Sequence, residues 1–355
     1  MKDKWQILAA QAIQAEHFEH ASYLRVLDDL CAQILVAAPG EVIVLVGPSR
    51  VGKLRLITEA LAMLLRSAPG HVDDQPYVYL EAENSSKDGE FSTKEFMHAG
   101  CVAIKHPIYG VPRPDDPHGQ KLAALIQSTP QTMLRHAFEV FLGIRKTRFV
   151  VMDEAHHFAY VRGGDENAAK VLDSYKCLAN KTGCVLILIG SYQLLRLLAL
   201  APHLLGRQLP IEFPRYHAER MADLVAFEAI LDRFSVHFKF EGKGESLRQW
   251  NELLFTHSFG CIGHLSKWLR AALARMASRK IEFINEEVLL ATRMPEFQEA
   301  EIAAETLQGE ADMAHIEDPK RKAPTPAKKS ARPPRKKRPF VSNPRRHRTG
   351  GRSTK

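Results

Sequence analysis

The chain has 355 residues, 45% of them hydrophobic and 25% charged, enough apolar content for a sizeable core and for two packed units with extensions. The first twenty residues carry acids and no apolar block, and the longest apolar runs, "EVIVLVG" and "GCVLILIGSY", are too short to span a bilayer, so neither a secretory leader nor a membrane span is expected and the expected location is the cytoplasm. Five scattered cysteines, odd in number and without a CxxC pair, argue against a disulfide framework and a structural zinc site. The formal net charge of +8 is unevenly spread: residues 319–355 hold 15 Lys and Arg and no acid, while residues 296–318 hold eight acids and neither Lys nor Arg. Residues 1–295 are therefore nearly neutral.

In chain order, residues 1–40 read as an N-terminal helical segment, with Leu24, Leu27, Leu30 and Leu35 before the turn signal "APG". The apolar run "EVIVLVG" follows as a strand. The loop "GPSRVGKL" and the helix "LRLITEALAMLL" come next, with Leu54, Ile57, Leu61 and Leu64/Leu65 predicted on one helix face. "PYVYLEAE", "RFVVMDEA", "CVLILIGSY" and "LPIEFPRY" are four further strands. Five apolar strands separated by helices predict an α/β core over residues 41–216, a five-stranded parallel sheet covered on both faces. Residues 84–130 are the least legible, and "HPIYGVPRPDDPHG" within them reads as loop. From 217 to 295 the periodicity is purely helical, a small C-terminal lid. The acidic segment 296–318 and a disordered basic tail, 319–355, complete the chain.

The spacing G-x-x-x-x-G-K, placed after an apolar strand and before an amphipathic helix, is the context a phosphate-binding P-loop requires. Gly47, Pro48, Ser49, Arg50, Val51, Gly52, Lys53 and Leu54 would form it. Backbone amides and a helix N-terminus would face the phosphates of a nucleotide, and Lys53 would reach the β and γ oxygens. "FVVMDEAHH" places Asp153 and Glu154 at the carboxyl end of a buried strand, where parallel sheets bind ligands. In a P-loop ATPase the aspartate holds Mg2+ through water and the glutamate polarises the attacking water. His156 and His157 are adjacent, and neighbours on a helix do not face one ligand sphere, so no further metal site is expected from them. Ser191 ends another apolar strand and reads either as a group that orients the hydrolytic water or as a helix N-cap. Arg207 precedes the last strand and reads either as an arginine finger acting on a neighbouring subunit or as a surface residue, with Arg215 the second candidate.

Strand, P-loop, helix, DE strand, polar strand end, arginine before the last strand and helical lid together resemble an AAA+ ATPase. Within that class "VGPSRVGK", "GSYQLL", "LPIEFPRY" and "GCIGHLSKWLRAAL" are similar to the TnsC/TniB family of transposition regulators over residues 20–295. The resemblance implies ATP and Mg2+ as cofactors and a homo-oligomer, ring or filament, on duplex DNA. It also implies a transposase recruited through a target-selecting adaptor of the TniQ/TnsD type. The family's DNA contacts fall between the first two acidic-site strands, where this chain offers Lys87, Lys94, Lys105 and Arg113. "GCIG" lacks the arginine that many such lids aim at the γ-phosphate, and His264 and Lys267 are the nearest alternatives.

Leu54 stands where a P-loop has Ser or Thr, so magnesium loses one protein oxygen. Thr58 lies one helical turn further, roughly 6 Å deeper, and Ser49 is the other hydroxyl within the loop. Binding by amides and Lys53 is expected to survive and hydrolysis to be slow. Two other readings share these residues. One is a replication initiator or helicase loader of the same ATPase class. The other is a non-hydrolysing scaffold with structural nucleotide.

Overall fold

The computed structural model describes residues 4–15, 21–66, 71–85, 88–110, 124–201, 204 and 209–317. Two helices, α1 (Lys4–Ala15) and α2 (Ala21–Val36), precede strand β1 (Val42–Val46). Helix α3 (Lys53–Leu65) and strand β2 (Tyr77–Glu81) follow, then α4 (Thr93–Ala103) and α5 (Gln131–Ile144). Strand β3 (Phe149–Asp153) runs into a 3-10 turn, Ala155–Tyr160, and then α6 (Asp165–Thr182). Strand β4 (Val185–Gly190), helix α7 (Gln193–Leu200) and the two-residue β5 (Ile211–Glu212) complete the α/β part. Helices α8 (Met221–Ser235), α9 (Asn251–Ser258), α10 (Ile262–Arg279) and α11 (Glu286–Thr292) form a helical unit, and α12 (Glu296–Glu317) follows it.

The strands form one sheet in the order β2-β3-β4-β1-β5, with every pairing parallel. Side chains alternate between its faces, so the three central strands, β3, β4 and β1, are buried at every position, while the edge strands β2 and β5 are only partly buried. On one face Val44, Val78, Val150 and Leu186 meet α4, α5, α6 and α7; on the other Ile43, Leu45, Val151 and Ile187 meet α2 and α3. This double burial is why the strands were legible as continuous apolar runs.

Helix faces were less exactly legible. On α2 the buried residues are Tyr23, Val26, Leu27, Leu30 and Ile34, while Leu24 and Leu35 are exposed. On α3 the buried stripe is Leu56, Ile57, Ala60 and Leu61, and Leu54 is 46% exposed. Leu54 heads the helix and lies off its core-facing stripe. The segment expected to be least legible contains α4, which Ser92 opens: its hydroxyl accepts from the Glu95 amide at 3.2 Å, the S-x-x-E capping signal.

The two N-terminal helices have different partners. Helix α2 packs on α3 and β5, whereas α1 packs along α10, burying Ala9 and Ile13 in the cluster of the helical unit. Lys239 lies over the Trp5 ring at 5.2 Å, and Arg270 donates to Gln14 at 2.9 Å. The acidic segment is the largest surprise. As α12 it docks on α7 through Thr306, Gly309 and Met313, which bury a narrow stripe with few apolar atoms. At Gly309 an added Cβ would lie 2.1 Å from Tyr192 Cγ.

That close approach generates a test. Gly309→Ala favours the helix itself by about 0.5–1 kcal/mol but leaves no room for it on Tyr192. Limited proteolysis is expected to cut residues 296–317 faster in the variant than in wild type, with the sheet core still resistant. Equal protection would show that Tyr192 yields without releasing the helix.

Candidate functional site

The carboxyl ends of β1, β3 and β4 open into a cleft of about 460 Å3 lined by Ser49, Arg50, Gly52, Lys53, Leu54, Tyr79, Glu81, Asp153, Glu154 and Ser191. The fold thus gathers the P-loop, the DE strand end and the polar strand end in one place. β4 lies between β1 and β3, so Ser191 leaves the sheet between the other two groups.

The loop has the backbone that phosphate cradling needs. Gly52 adopts φ 111°, a conformation costly for other residues, and Arg50 also has positive φ at 62°. Gly47 is needed for a different reason: a Cβ there would sit 2.3 Å from the Phe213 carbonyl that follows β5. Lys53 folds over its own loop and donates to the carbonyls of Gly47 at 3.0 Å and Pro48 at 2.9 Å. Burial lowers the Lys53 pKa below the ordinary lysine value, and the carboxylates of Glu154 and Asp153 oppose the shift.

Asp153 is held at both oxygens. Its Oδ1 accepts from the Glu154 amide at 2.8 Å and its Oδ2 from the Tyr79 hydroxyl at 2.6 Å. Glu154 turns the chain with φ 51°, ψ 32°, a left-handed conformation that a non-glycine residue adopts only at some cost. Its carboxyl is half exposed to the cleft, and desolvation together with neighbouring Asp153 raises its pKa against the pull of Lys53. His156 Nδ1 stands 3.2 Å from Glu154 Oε2 and 3.4 Å from the Ser191 amide. Burial, then His157 and Lys53, push the His156 pKa down to about 4, so it is neutral at physiological pH. The Ser191 hydroxyl accepts from the Gln193 amide, the first residue of α7, at 3.3 Å while lining the cleft.

His156 and His157 do converge, contrary to the helix argument from sequence. They lie on the tight 3-10 turn with ring centroids 4.5 Å apart, and ligand atoms of Glu154, His156 and His157 all fall within 4.8 Å of one another. His157 Nδ1 is already committed to the Ala82 carbonyl at 2.5 Å. For magnesium, the carboxylate oxygens of Asp153 fit a hard cation. Leu54 adds none, and the Thr58 hydroxyl is spent on the Leu54 carbonyl at 2.8 Å.

The helical unit reaches the loop directly. The Gly263 amide donates to the Arg50 carbonyl at 3.1 Å, and a Cβ at Gly263 would lie 2.2 Å from that oxygen. The "GCIG" segment is thus a contact surface for the P-loop. Beside it His264 is buried, with a partner at neither ring nitrogen, and Lys267 is exposed. Burial, then Arg50 and Lys267, lower the His264 pKa to about 4.

Arg215 is committed within its own chain. Its Nε and a terminal nitrogen donate to the two carboxylate oxygens of Glu310 on α12, at 2.7 and 3.2 Å. In the single chain this pairing engages two of its guanidinium nitrogens. Arg207, Lys87 and Arg113 lie outside the described residues. Lys94 lies in the first turn of α4, and Lys105 follows its C-terminal end in a left-handed backbone conformation. The Lys94 amine donates to the Gln127 carbonyl at 2.6 Å, and Lys105 is exposed.

Residues 37–198 match the AAA domain family. The fold is that of the AAA+ P-loop NTPases. The ORC1 protein of Aeropyrum pernix, solved in complex with DNA, is similar over 77% of this chain and 63% of its own, at TM-score 0.52 and 16% identity. Cdc6p of Pyrobaculum aerophilum gives TM-score 0.49 at 13% identity, over 76% of this chain and 65% of its own. The ORC2 protein of Aeropyrum pernix gives 0.48 at 12%, over 76% and 66%. The chain thus spans just under two thirds of the length of each, and at these identities the likeness is one of fold. No curated protein matches the chain in sequence. An AAA+ fold implies a nucleotide at the cleft, and among the described residues no helix is long and apolar enough to cross a membrane.

The brace between Arg215 and Glu310 is open to direct measurement. Both side chains are under 20% exposed, so Arg215→Ala strands a carboxylate and is expected to cost about 1–3 kcal/mol in urea unfolding of the isolated chain. Unchanged stability would leave Arg215 free to serve a neighbouring subunit.

Proposed function

We propose that the protein is an ATP-hydrolysing switch that oligomerises on duplex DNA, marks a target site and recruits a transposase through a target-selecting adaptor. The observation that carries the catalytic part is the single cleft that joins Lys53, Asp153, Glu154 and Ser191. P-loop amides and Lys53 hold the triphosphate. Mg2+, when bound, neutralises phosphate charge beside Asp153. Glu154 takes the proton from the attacking water, and its raised pKa strengthens it as a base. Ser191 orients that water. With Arg215 braced in cis, Arg207 is the candidate to complete a neighbour's site. The DNA part is supported by the ORC1 relative solved with DNA and by the family wording of the sequence. The basic tail adds non-specific phosphate attraction. Lys105 is the exposed candidate contact in the described part.

A replication initiator is the second reading, favoured by the ORC1-like fold.

DNA-stimulated ATP turnover tests the enzyme reading. Wild type is expected to turn over slowly, Glu154→Gln to lose at least a hundredfold, and Lys53→Ala to lose nucleotide binding. Nucleotide bound without turnover in wild type and Leu54→Thr alike would move the conclusion to a scaffold. The pH profile adds a sign. Glu154 acts as a base only when deprotonated, so activity falls as pH drops through its raised pKa, and the acid limb is expected above the ordinary glutamate range. His156→Asn is expected to leave that limb in place.

A further inference from the structure

Leu54 leaves the P-loop without its metal-facing oxygen, and the same cleft is lined by a tyrosine whose hydroxyl is bonded to Asp153. We propose that Tyr79 supplies the missing hydroxyl: from strand β2 it positions Asp153 and accepts hydrogen from a water of the nucleotide-bound magnesium. The proposal rests on the ATP reading above.

Three observations carry it. Of the other hydroxyls near the P-loop, Thr58 is bonded to the Leu54 carbonyl and Ser191 accepts from the Gln193 amide, while Ser49 shares the cleft from an exposed position in the loop. Tyr79 lines the same cleft as Leu54, Lys53 and Asp153, although it belongs to the strand at the far edge of the sheet. Its partly buried ring packs in the cluster formed by α2, α3 and one face of the sheet, the side on which α3 brings Leu54 to the cleft. Finally, the Tyr79 hydroxyl donates a hydrogen bond to Asp153 Oδ2 at 2.6 Å, while Asp153 Oδ1 accepts from the Glu154 amide at 2.8 Å. A phenol that donates a hydrogen bond keeps its oxygen lone pairs as acceptors. Magnesium retains several waters in such sites, and those waters need acceptors. A threonine at the start of α3 would bind the ion directly, whereas a tyrosine from β2 acts one water away. Tyr79 is thus a positioning residue.

Such outer partners change metal affinity by about 10–100-fold, so the test reads the metal and not turnover. Mn2+ binding to the full-length protein with ATP is followed by electron paramagnetic resonance, and ATP binding in EDTA is measured separately. Tyr79→Phe keeps the ring and removes the hydroxyl. It is expected to weaken Mn2+ about tenfold while leaving metal-free ATP affinity unchanged. Adding Leu54→Thr to Tyr79→Phe is expected to restore Mn2+ affinity by returning a direct oxygen. Wild-type Mn2+ affinity in Tyr79→Phe would overturn the proposal. So would a loss that Leu54→Thr does not recover, since that marks a hydroxyl needed for the fold of the cleft and not for the metal's missing oxygen. If wild type binds ATP no better than Lys53→Ala, the nucleotide reading itself falls, a result separable from a failure of Tyr79 alone.

Discussion

A parallel sheet points every strand's carboxyl end to the same edge, and the site depends on that constraint. The P-loop, the DE pair and Ser191 are separated by scores of residues, yet each directly follows or ends a strand of one sheet. Their meeting needs no special contact between them. It follows from parallel pairing with β4 between β1 and β3, and parallel pairing in turn requires helices on both faces to bury the apolar strands.

Within the cleft the charges restrain one another. Lys53 is desolvated and would lose its proton more readily without Glu154 and Asp153; Glu154 is desolvated and crowded by Asp153, and Lys53 partly offsets this. The neutral His156 fills the space between Glu154 and the Ser191 amide without adding charge. Glu154 also sits in a left-handed backbone conformation, held by the 3-10 turn that follows.

Two elements outside the sheet close on this edge. The helical unit touches the P-loop at Gly263, backbone to backbone, and carries α1 along its side. Helix α12 lies over Tyr192, next to Ser191, and ties Arg215 through Glu310. Its dock contains one deeply buried apolar side chain, Met313, with small and charged residues around it. Such a dock depends on close fit and ion pairing more than on the hydrophobic effect, so little of it appears in hydropathy.

By itself the sequence determined the strands, the parallel α/β class, the P-loop and the Asp153–Glu154 pair, because buried strands and phosphate loops impose local residue patterns. The helical character of residues after 217 was equally local. Tertiary structure alone decided the rest. Tyr79 reaches Asp153 only because β2 pairs with β3 in register, a fact with no local signature except a polar-tipped side chain on an apolar strand. The convergence of His156 and His157 came from a 3-10 turn that periodicity does not reveal. The acidic segment became a docked helix because Gly309 fits Tyr192 and Glu310 meets Arg215, residues 117 and 95 positions apart in the chain. Local chemistry is written in neighbouring residues, whereas the partners of a polar tip or a lone glycine exist only once distant segments have packed.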